Sequence, residues 1–379
     1  MIKAYIVRLL PNQAQEQLLW QHVNIARFTW NYGLTYQLER FKNNEKHLSG
    51  YDLRKVFTEM KKLDTYSWLK EISSHTIYNV VLDLDDAYKK FFKKLNGKPK
   101  FKSKNKCKQS FPVRQDSFYL NNNCANIEKI GKIKYQTDYT LPQGRDNKFS
   151  NPRIKFENDK WILTFGMEHD NQVQELTDDS IGIDLGIKEL AYISCGNDFS
   201  VIKNINKSKK VIKIKKKLKR LQRKVSKKYE MNKQGKKFIK TNNIIKLEKQ
   251  IKQLHTKLKN IRKNHIHQAT SKVIKMNSRR IVMEDLNVSG MMKNKHLSKA
   301  IQEQCFYEFI RQMKYKSEFN GREFVQADRF YPSSKTCSCC GNIKKELKLS
   351  DRVYICDNCG LVIDRDKNAS INLMNYKSA

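Results

Sequence analysis

Polar and apolar residues alternate from the first position. MIKAYIVRLL places Ile2, Ala4, Ile6 and Arg8 on one side and Lys3, Tyr5, Val7 and Leu9 on the other, as a strand does. Pro11-Asn12 then opens a helix, with Leu18, Leu19, Val23, Ala26, Phe28, Trp30 and Leu34 near helical spacing. A second helix follows Tyr51. A third, from Ser73 to Leu95, carries a wide stripe: Ile77, Val80, Val81, Leu84, Ala87, Tyr88, Phe91 and Phe92. These aromatic-rich faces suit a core better than a base-stacking platform, so residues 11–95 read as an all-helical module. A basic connector, GKPKFKSKNKCKQSFPV, comes next. Beyond it the short strand signals SFYLN, KIKYQ, RIKFEN and KWILTFGM are broken by Asn, Gly and Pro. They predict a small β-barrel or sandwich, completed by the N-terminal strand.

The pattern changes at Ser180. SIGIDLGIKELAYIS reads as a buried strand, a turn at Gly186 and a second strand, with DFSVIKN as a candidate third. Two seams stepping by three and four follow: Val211, Ile214, Leu218, Leu221, Val225, then Ile244, Leu247, Ile251, Leu254, Leu258, Ile261. With Gly235 between them, they predict two amphipathic helices in an antiparallel hairpin. RRIVMEDLNV reads as a strand, residues 298–313 as a helix, and REFVQADRFYPSS as a last strand entering a cysteine-rich segment.

Charge sharpens this picture. The 379 residues carry a formal net charge of +38, which points to a polyanion, nucleic acid first and an anionic membrane surface second. No apolar run is long enough to span a bilayer. No acidic residue lies between Asp198 and Glu230, and about half the positions from Lys207 to Lys228 are Lys or Arg. Candidate backbone contacts are Lys213, Lys216, Lys217, Arg220, Arg223 and Lys224 on the first hairpin helix. In the connector, lysines at alternate positions, Lys98, Lys100 and Lys102 first among them, would line one side of an extended chain. Signal-peptide features are absent from the opening residues, and the nine cysteines suit a reducing compartment, so a cytoplasmic, nucleoid-associated protein is expected.

Five of the cysteines crowd into residues 337–359. Cys337/Cys340 and Cys356/Cys359 form two C-x2-C knuckles, each followed by glycine, Gly341 and Gly360, which supplies the backbone angles a tight thiolate turn needs. Fifteen residues between the pairs suit a zinc-ribbon hairpin. Four thiolates close a tetrahedron, so the expected Zn²⁺ is structural. Cys339, one residue away, could substitute for Cys340, although the matching Cys-Gly ends favour Cys340. Three acids sit where a strand or turn hands off to another element: Asp184 between Gly182 and Gly186, Glu284 at the end of an apolar strand, and Asp366 in DRDKNA. Spacing alone does not choose between Glu284 and Asp285. Asp366 shares a helical face with Ala369, Ser370 and Leu373, whereas Asp364 points elsewhere. Carboxylates are the ligands Mg²⁺ prefers, and two such ions could activate water at a phosphodiester.

GIDLG, MEDLNV, the paired CxxC knuckles and DRDKNA, in that order, resemble the RuvC-like nuclease of TnpB proteins, the insertion-sequence relatives of type V CRISPR effectors. AYIVRLLPNQAQEQLLWQHVNIARFTWNYGL and YPSSKTCSCCG extend the resemblance over nearly the whole chain. The resemblance implies a multidomain α/β protein. Its parts would be a wedge-like β-barrel (1–10 and 108–178), a helical recognition module (11–107), an RNase H-like RuvC domain (179–327 and 361–379) with an inserted basic hairpin, and a four-cysteine zinc-ribbon, target-binding insertion (328–360). It implies catalytic, Mg²⁺-binding Asp184, Glu284 and Asp366, with two magnesium ions. It further implies a guide RNA from the transposon end, double-stranded target DNA beside a short motif, and cleavage of both strands. The helix SSHTIYNVVLDLDD is similar to the family's motif-reading helix, with His75, Thr76 and Asn79, and Tyr51 nearby, as the reading residues. A monomer is expected. The alternatives are a guided repressor or accessory transposition protein without cleavage, a compact type V CRISPR effector, a strand-joining transposase and a generic zinc-stabilised nucleic-acid binder. All three acids are present, which argues against the repressor, and no tyrosine-nucleophile motif supports strand joining.

Overall fold

Tyr5, Val7 and Leu9 do point inward along β1 (Ile2–Leu10). That side-chain period seats the strand in the middle of a sheet. The computed structural model describes residues 2–170, 175–348 and 350–377. Its chain divides into two compact units, Met1–Asp170 and Asn171–Ala379.

In the first unit, Asn12 caps α1 (Gln13–Lys42) with a reciprocal capping box: its side chain accepts from Gln15 N (2.8 Å) and its own N–H donates to Gln15 Oε1 (3.1 Å). Helices α2 (Gly50–Met60) and α3 (Ser74–Phe92) follow, separated by a 3-10 turn at Asp64–Lys70. Then come β2 (Gln109–Pro112), β3 (Tyr119–Asn121), β4 (Cys124–Ile127), β5 (Gly131–Gln136), β6 (Phe149–Glu157) and β7 (Lys160–Glu168). With β1 they form one antiparallel sheet in the order β2-β6-β7-β1-β5-β4-β3. Among the described residues no ladder joins the β2 and β3 edges, so the hydrogen bonding is that of an open sheet rather than a closed barrel. The α1–α3 stripe and the inner face of the sheet form one continuous core, including Leu19, Phe57, Tyr88, Phe111, Ile133 and Leu163. The helices and strands are therefore one body, not the two separate modules the sequence suggested.

The connector is a strap rather than an extended track. Trp30 Nε1 donates to the Lys100 carbonyl (3.0 Å), and Asn31 brackets Lys102, donating to its carbonyl (2.9 Å) and accepting from its N–H (2.8 Å). The chain then turns at Ser103, whose carbonyl accepts from Cys107 N (3.0 Å).

In the second unit β8 (Thr177–Leu185), β9 (Ala191–Cys195) and β10 (Asp198–Ile202) run antiparallel. Because β8 opens at Thr177, whose N–H bonds the Asn277 carbonyl (2.9 Å), the strand begins inside the span expected for the barrel. Residues 171–174, also in that span, lie outside the described residues. Helices α4 (Lys209–Met231) and α5 (Asn242–Ile274) form the predicted hairpin, tipped by a ladder of β11 (Lys233–Gln234) and β12 (Lys237–Phe238) around Gly235 at φ +57°. Val211, Ile214 and Leu218 bury against Leu258, with Ile251, Leu254 and Ile261 alongside.

Strand β13 (Ser278–Glu284) returns parallel to β8. The short α6 (Val288–Met291), α7 (Ser298–Gln304), α8 (Phe306–Phe319) and β14 (Glu323–Ala327) follow, the last parallel to β13. Sheet order is β10-β9-β8-β13-β14. The single helix expected over 298–313 is broken at Cys305, which adopts φ +58°. The break follows from Gln304, whose amide donates to the carbonyls of Gly186 and Ile187 (both 3.1 Å) and pins the end of α7 to the β8–β9 turn. A ribbon of β15 (Val353–Ile355) and β16 (Val362–Asp364) leads into α9 (Arg365–Met374). The ribbon thus runs to Asp364, past the expected limit of 360. No helix among the described residues is long and apolar enough to cross a membrane.

Candidate active site and metal centre

Strand parity decides which acids meet. Ile181, Ile183, Ile281 and Met283 face the core beneath α5 and α8. Gly182, Asp184, Val282 and Glu284 therefore face the opposite way, toward α9, where Val282 and Ala327 pack on Leu373. The parallel register sets Ile183 beside Met283, so Asp184 and Glu284 are neighbours on adjacent strands. Asp285, the alternative left open by spacing, turns to the other face and pairs with Arg329 at 2.6 Å.

Helix α9 supplies the third acid. Asp364 caps it, accepting from Asp366 N and Lys367 N (both 3.0 Å), which fixes Asp366 in the first turn. Ala369, Ser370 and Leu373 are buried against the sheet, as expected. Gly182 makes the approach possible: a Cβ there would overlap the Ser370 carbonyl oxygen and the Met374 backbone. Ser370 and Ser194 share a hydrogen bond (2.7 Å) beneath the helix.

The electrostatics reflect how near these groups lie to one another. Burial, then the charges of Glu284 and Asp366, push the Asp184 carboxyl up to about 8, against the pull of Arg365. Burial also raises Glu284, with Arg365 opposing and Asp285 adding. Arg352 stands 3.8 Å from Asp366. Tyr192, paired with Asp184 across the β8–β9 hairpin, lies near Asp366. Burial, followed by the negative charge of that acid, raises its hydroxyl. Sequence reading missed Tyr192. Its only signal was its place opposite Asp184 about the turn at Gly186. A set of three carboxylates with raised Asp184 and Glu284 suits a hard divalent cation, whose charge would offset the mutual repulsion.

The four cysteines form a different kind of site. Among the described residues, Cys337, Cys340, Cys356 and Cys359 alone bring three or more ligand atoms within 4.8 Å of one another. The Sγ atoms of Cys337 and Cys359 are 3.5 Å apart, and those of Cys340 and Cys356 3.6 Å. A tetrahedral zinc with about 2.3 Å bonds needs about 3.8 Å between sulfurs, so the set fits that ion. Gly341 (φ +74°) and Gly360 (φ +72°) turn the chain after each pair. The Asn358 amide and the Asn342 N–H lower the Cys340 thiol to about 6. Cys339 is exposed and outside the cluster. The knuckles are bolted to α9: Asn368 Oδ1 accepts from Ser338 N (3.0 Å) and its amide donates to Thr336 O (2.7 Å), while the Asn372 amide donates to Ser333 O and Thr336 O (2.7 and 2.6 Å).

The expected nucleic-acid residues are placed unequally. Lys213, Lys216, Lys217, Arg220, Arg223 and Lys224 are all exposed on α4, and Lys98 and Lys100 are exposed on the strap. Lys102 instead folds inward, its Nζ 3.5 Å from the centroid of the Trp30 ring, because Asn31 holds its backbone. Thr76 is buried and donates to the Pro112 carbonyl (3.0 Å), so it is not a groove-facing residue. Tyr51 is exposed, and His75 and Asn79 line a surface cavity of about 280 Å³ with Arg153.

Three family models match this chain: "Helix-turn-helix domain" of the IS605 OrfB type over residues 1–46, IS605 OrfB "Probable transposase" over 164–295, and "Cas12f1-like, TNB domain" over 306–373. A protein of Streptomyces pristinaespiralis named "Putative RNA-guided DNA endonuclease" is 26% identical over 376 residues, 98% of this chain and 88% of that protein. Escherichia coli K12 "Putative RNA-guided DNA endonuclease InsQ" is 27% identical over 390 residues, 98% and 92% of the two chains. The chain carries transposase domains of the IS605 OrfB type, as TnpB proteins do. The residues matching the helix-turn-helix model form β1 and the single long helix α1. At the level of fold, the chain is similar to Cas12f1 in a complex with sgRNA and target DNA (TM-score 0.64, 13% identity, 99% of both chains). The mini-RNA-guided endonuclease Cas-phi3 is also similar (TM-score 0.52, 12% identity, 99% and 92%).

Proposed function

We propose that this protein is an RNA-guided DNA endonuclease of insertion-sequence origin. The observation that carries the reading is the placement of Asp184 and Glu284 on adjacent strands facing α9, the helix that carries Asp366, in a chain of net charge +38. The coarse activity also agrees with the names of its full-length relatives. In this reading the sheet of the second unit is an RNase H-like RuvC nuclease. Its three acids would hold two Mg²⁺ ions, which when bound supply a water nucleophile at neutral pH and charge stabilisation at the leaving oxygen. Asp184 and Glu284 orient from neighbouring strands, Asp366 closes the site from the helix, and Tyr192 stands beside the Asp366 carboxylate. Cys337, Cys340, Cys356 and Cys359 would hold a Zn²⁺ that stiffens the ribbon bonded to α9 through Asn368 and Asn372.

The exposed cations of α4 would grip an RNA or hybrid backbone, and base pairing with the guide would supply sequence choice, as in other guided effectors. Tyr51, His75 and Asn79 would read a short duplex motif. The test is purification with bound RNA, sequencing of that RNA, and cleavage of matched DNA in Mg²⁺. Asp184→Ala should abolish cutting and leave RNA binding intact; undiminished cutting would refute the site. A CRISPR-effector reading is kept alive by the match to a Cas12f1-like domain, and repeat-derived rather than transposon-end RNA would decide for it.

A further inference from the structure

In the first unit the strap closes a small polar cavity, about 30 Å³, against α1, α3, β2 and β6. Arg27 from α1, Lys102 and Lys108 from the strap, and Arg153 from β6 surround one carboxylate, Asp83. Four cations against one anion leave the cavity strongly positive. Asp83 is already engaged, its oxygens 2.5 and 2.7 Å from Arg153 Nη2. Arg27 Nη1 is buried and has no hydrogen-bond partner among the described residues. An unpaired guanidinium N–H removed from water is costly, and a built pocket that retains one points to a ligand that pairs with it. Lys102 is stressed in the same sense: burial brings its ammonium down to about 8 although Asp83 lies near.

We propose that this cavity is a phosphate-binding pocket that seats the non-bridging oxygens of one nucleic-acid backbone phosphodiester among Arg27, Lys102, Lys108 and Arg153. Size and chemistry select the ligand. At about 10–15 Å³ for each water-sized probe, the cavity admits two oxygens and no base or sugar. A guanidinium fork matches a phosphate bidentately. Exposed Lys98, Lys100, Lys104 and Lys106 flank the cavity along the strap, which favours a polyanion running past it over an isolated carboxylate. The source of the phosphate, but not the pocket, rests on the nuclease reading above.

The test uses the full-length, metal-loaded, RNA-free protein, titrated with inorganic phosphate at matched ionic strength and followed by thermal melting. Wild type should show a saturable rise. Arg27→Met should weaken half-saturation at least tenfold. Asp83→Asn should tighten it severalfold, because the one opposing charge is gone; a purely structural Asp83 would lower the melting temperature without tightening. Should Arg27→Met fail to melt cooperatively, Lys108→Gln on the exposed rim gives the same reading with a smaller loss. No saturable rise, or half-saturation unchanged in the variants, overturns the pocket, as does acetate or an acidic peptide competing as well as phosphate. The source is then read with guide RNA and target DNA carrying single methylphosphonates. One sensitive position in wild type, lost in Arg27→Met, supports the backbone assignment; phosphate binding with no sensitive position overturns it. A dead nuclease that still binds phosphate would count against the nuclease reading alone.

Discussion

Asp184 binds its proton far more tightly in the folded chain than its ordinary value of 3.8 allows, up to about 8. Between those values the folded state holds more protons than the unfolded one, so stability falls as pH rises through that window. In magnesium-free protein the denaturation midpoint should therefore decline from about pH 5 to about pH 8. Asp184→Asn should flatten the decline, and Mg²⁺ should restore the wild type at the alkaline end but not the variant. Equal pH slopes in the two proteins would refute the electrostatic account. Gly182 carries a second expectation. Alanine there must displace α9, costing about 1–3 kcal/mol by overpacking and removing cleavage while RNA binding persists; chemical denaturation and a gel-shift assay read the two effects. The acids were legible in the sequence because each sits where a strand or turn hands off to another element, in motifs resembling those of TnpB proteins. Glu284 could not be told from Asp285 until the neighbouring strand fixed the face. Tyr192 was illegible, since a phenol in an apolar strand reads as core.

The ribbon and α9 act as one element. Asn368 and Asn372 bond the first knuckle, and β16 runs directly into the helix that carries Asp366. Stripping the metal, or Cys356→Ser, should raise amide exchange in α9 as well as in residues 333–364 and lower cleavage in parallel. Exchange confined to the ribbon would uncouple the two. On α4, replacing Lys213, Lys216, Lys217, Arg220, Arg223 and Lys224 by Gln should flatten the salt dependence of RNA binding, reducing the log–log slope by up to about 5 if each meets a phosphate. The hairpin was readable because its seams repeat at three and four. The break at Cys305 was not, because its cause, Gln304 bonding the β8–β9 turn, lies 118 residues away in the chain. Nor was the strap: alternating lysines suggest an extended track, and only Asn31 and Trp30 on a distant helix bend it inward.

Across the whole molecule, a formal charge of +38 is self-repulsive until a polyanion meets it. Bound guide RNA should thus stabilise the protein by about 2.7 kcal/mol when free RNA exceeds Kd a hundredfold, measurable as a melting shift that shrinks with added salt. The succession of strands along the second unit was foreseen from the apolar pattern, but neither their order in the sheet nor the shared core of helices and sheet in the first unit was, because apolar stripes do not name their partners.

Asp184, Glu284 and Asp366 come together only after a long excursion of the chain, with the hairpin between the first two and the ribbon before the last. A premature stop codon between 328 and 365 would spare the first unit, the α4–α5 hairpin and the α7–α8 residues that anchor it, while deleting the final carboxylate. Under the proposed function, a chain truncated there would keep the exposed cations of α4 while lacking the third acid.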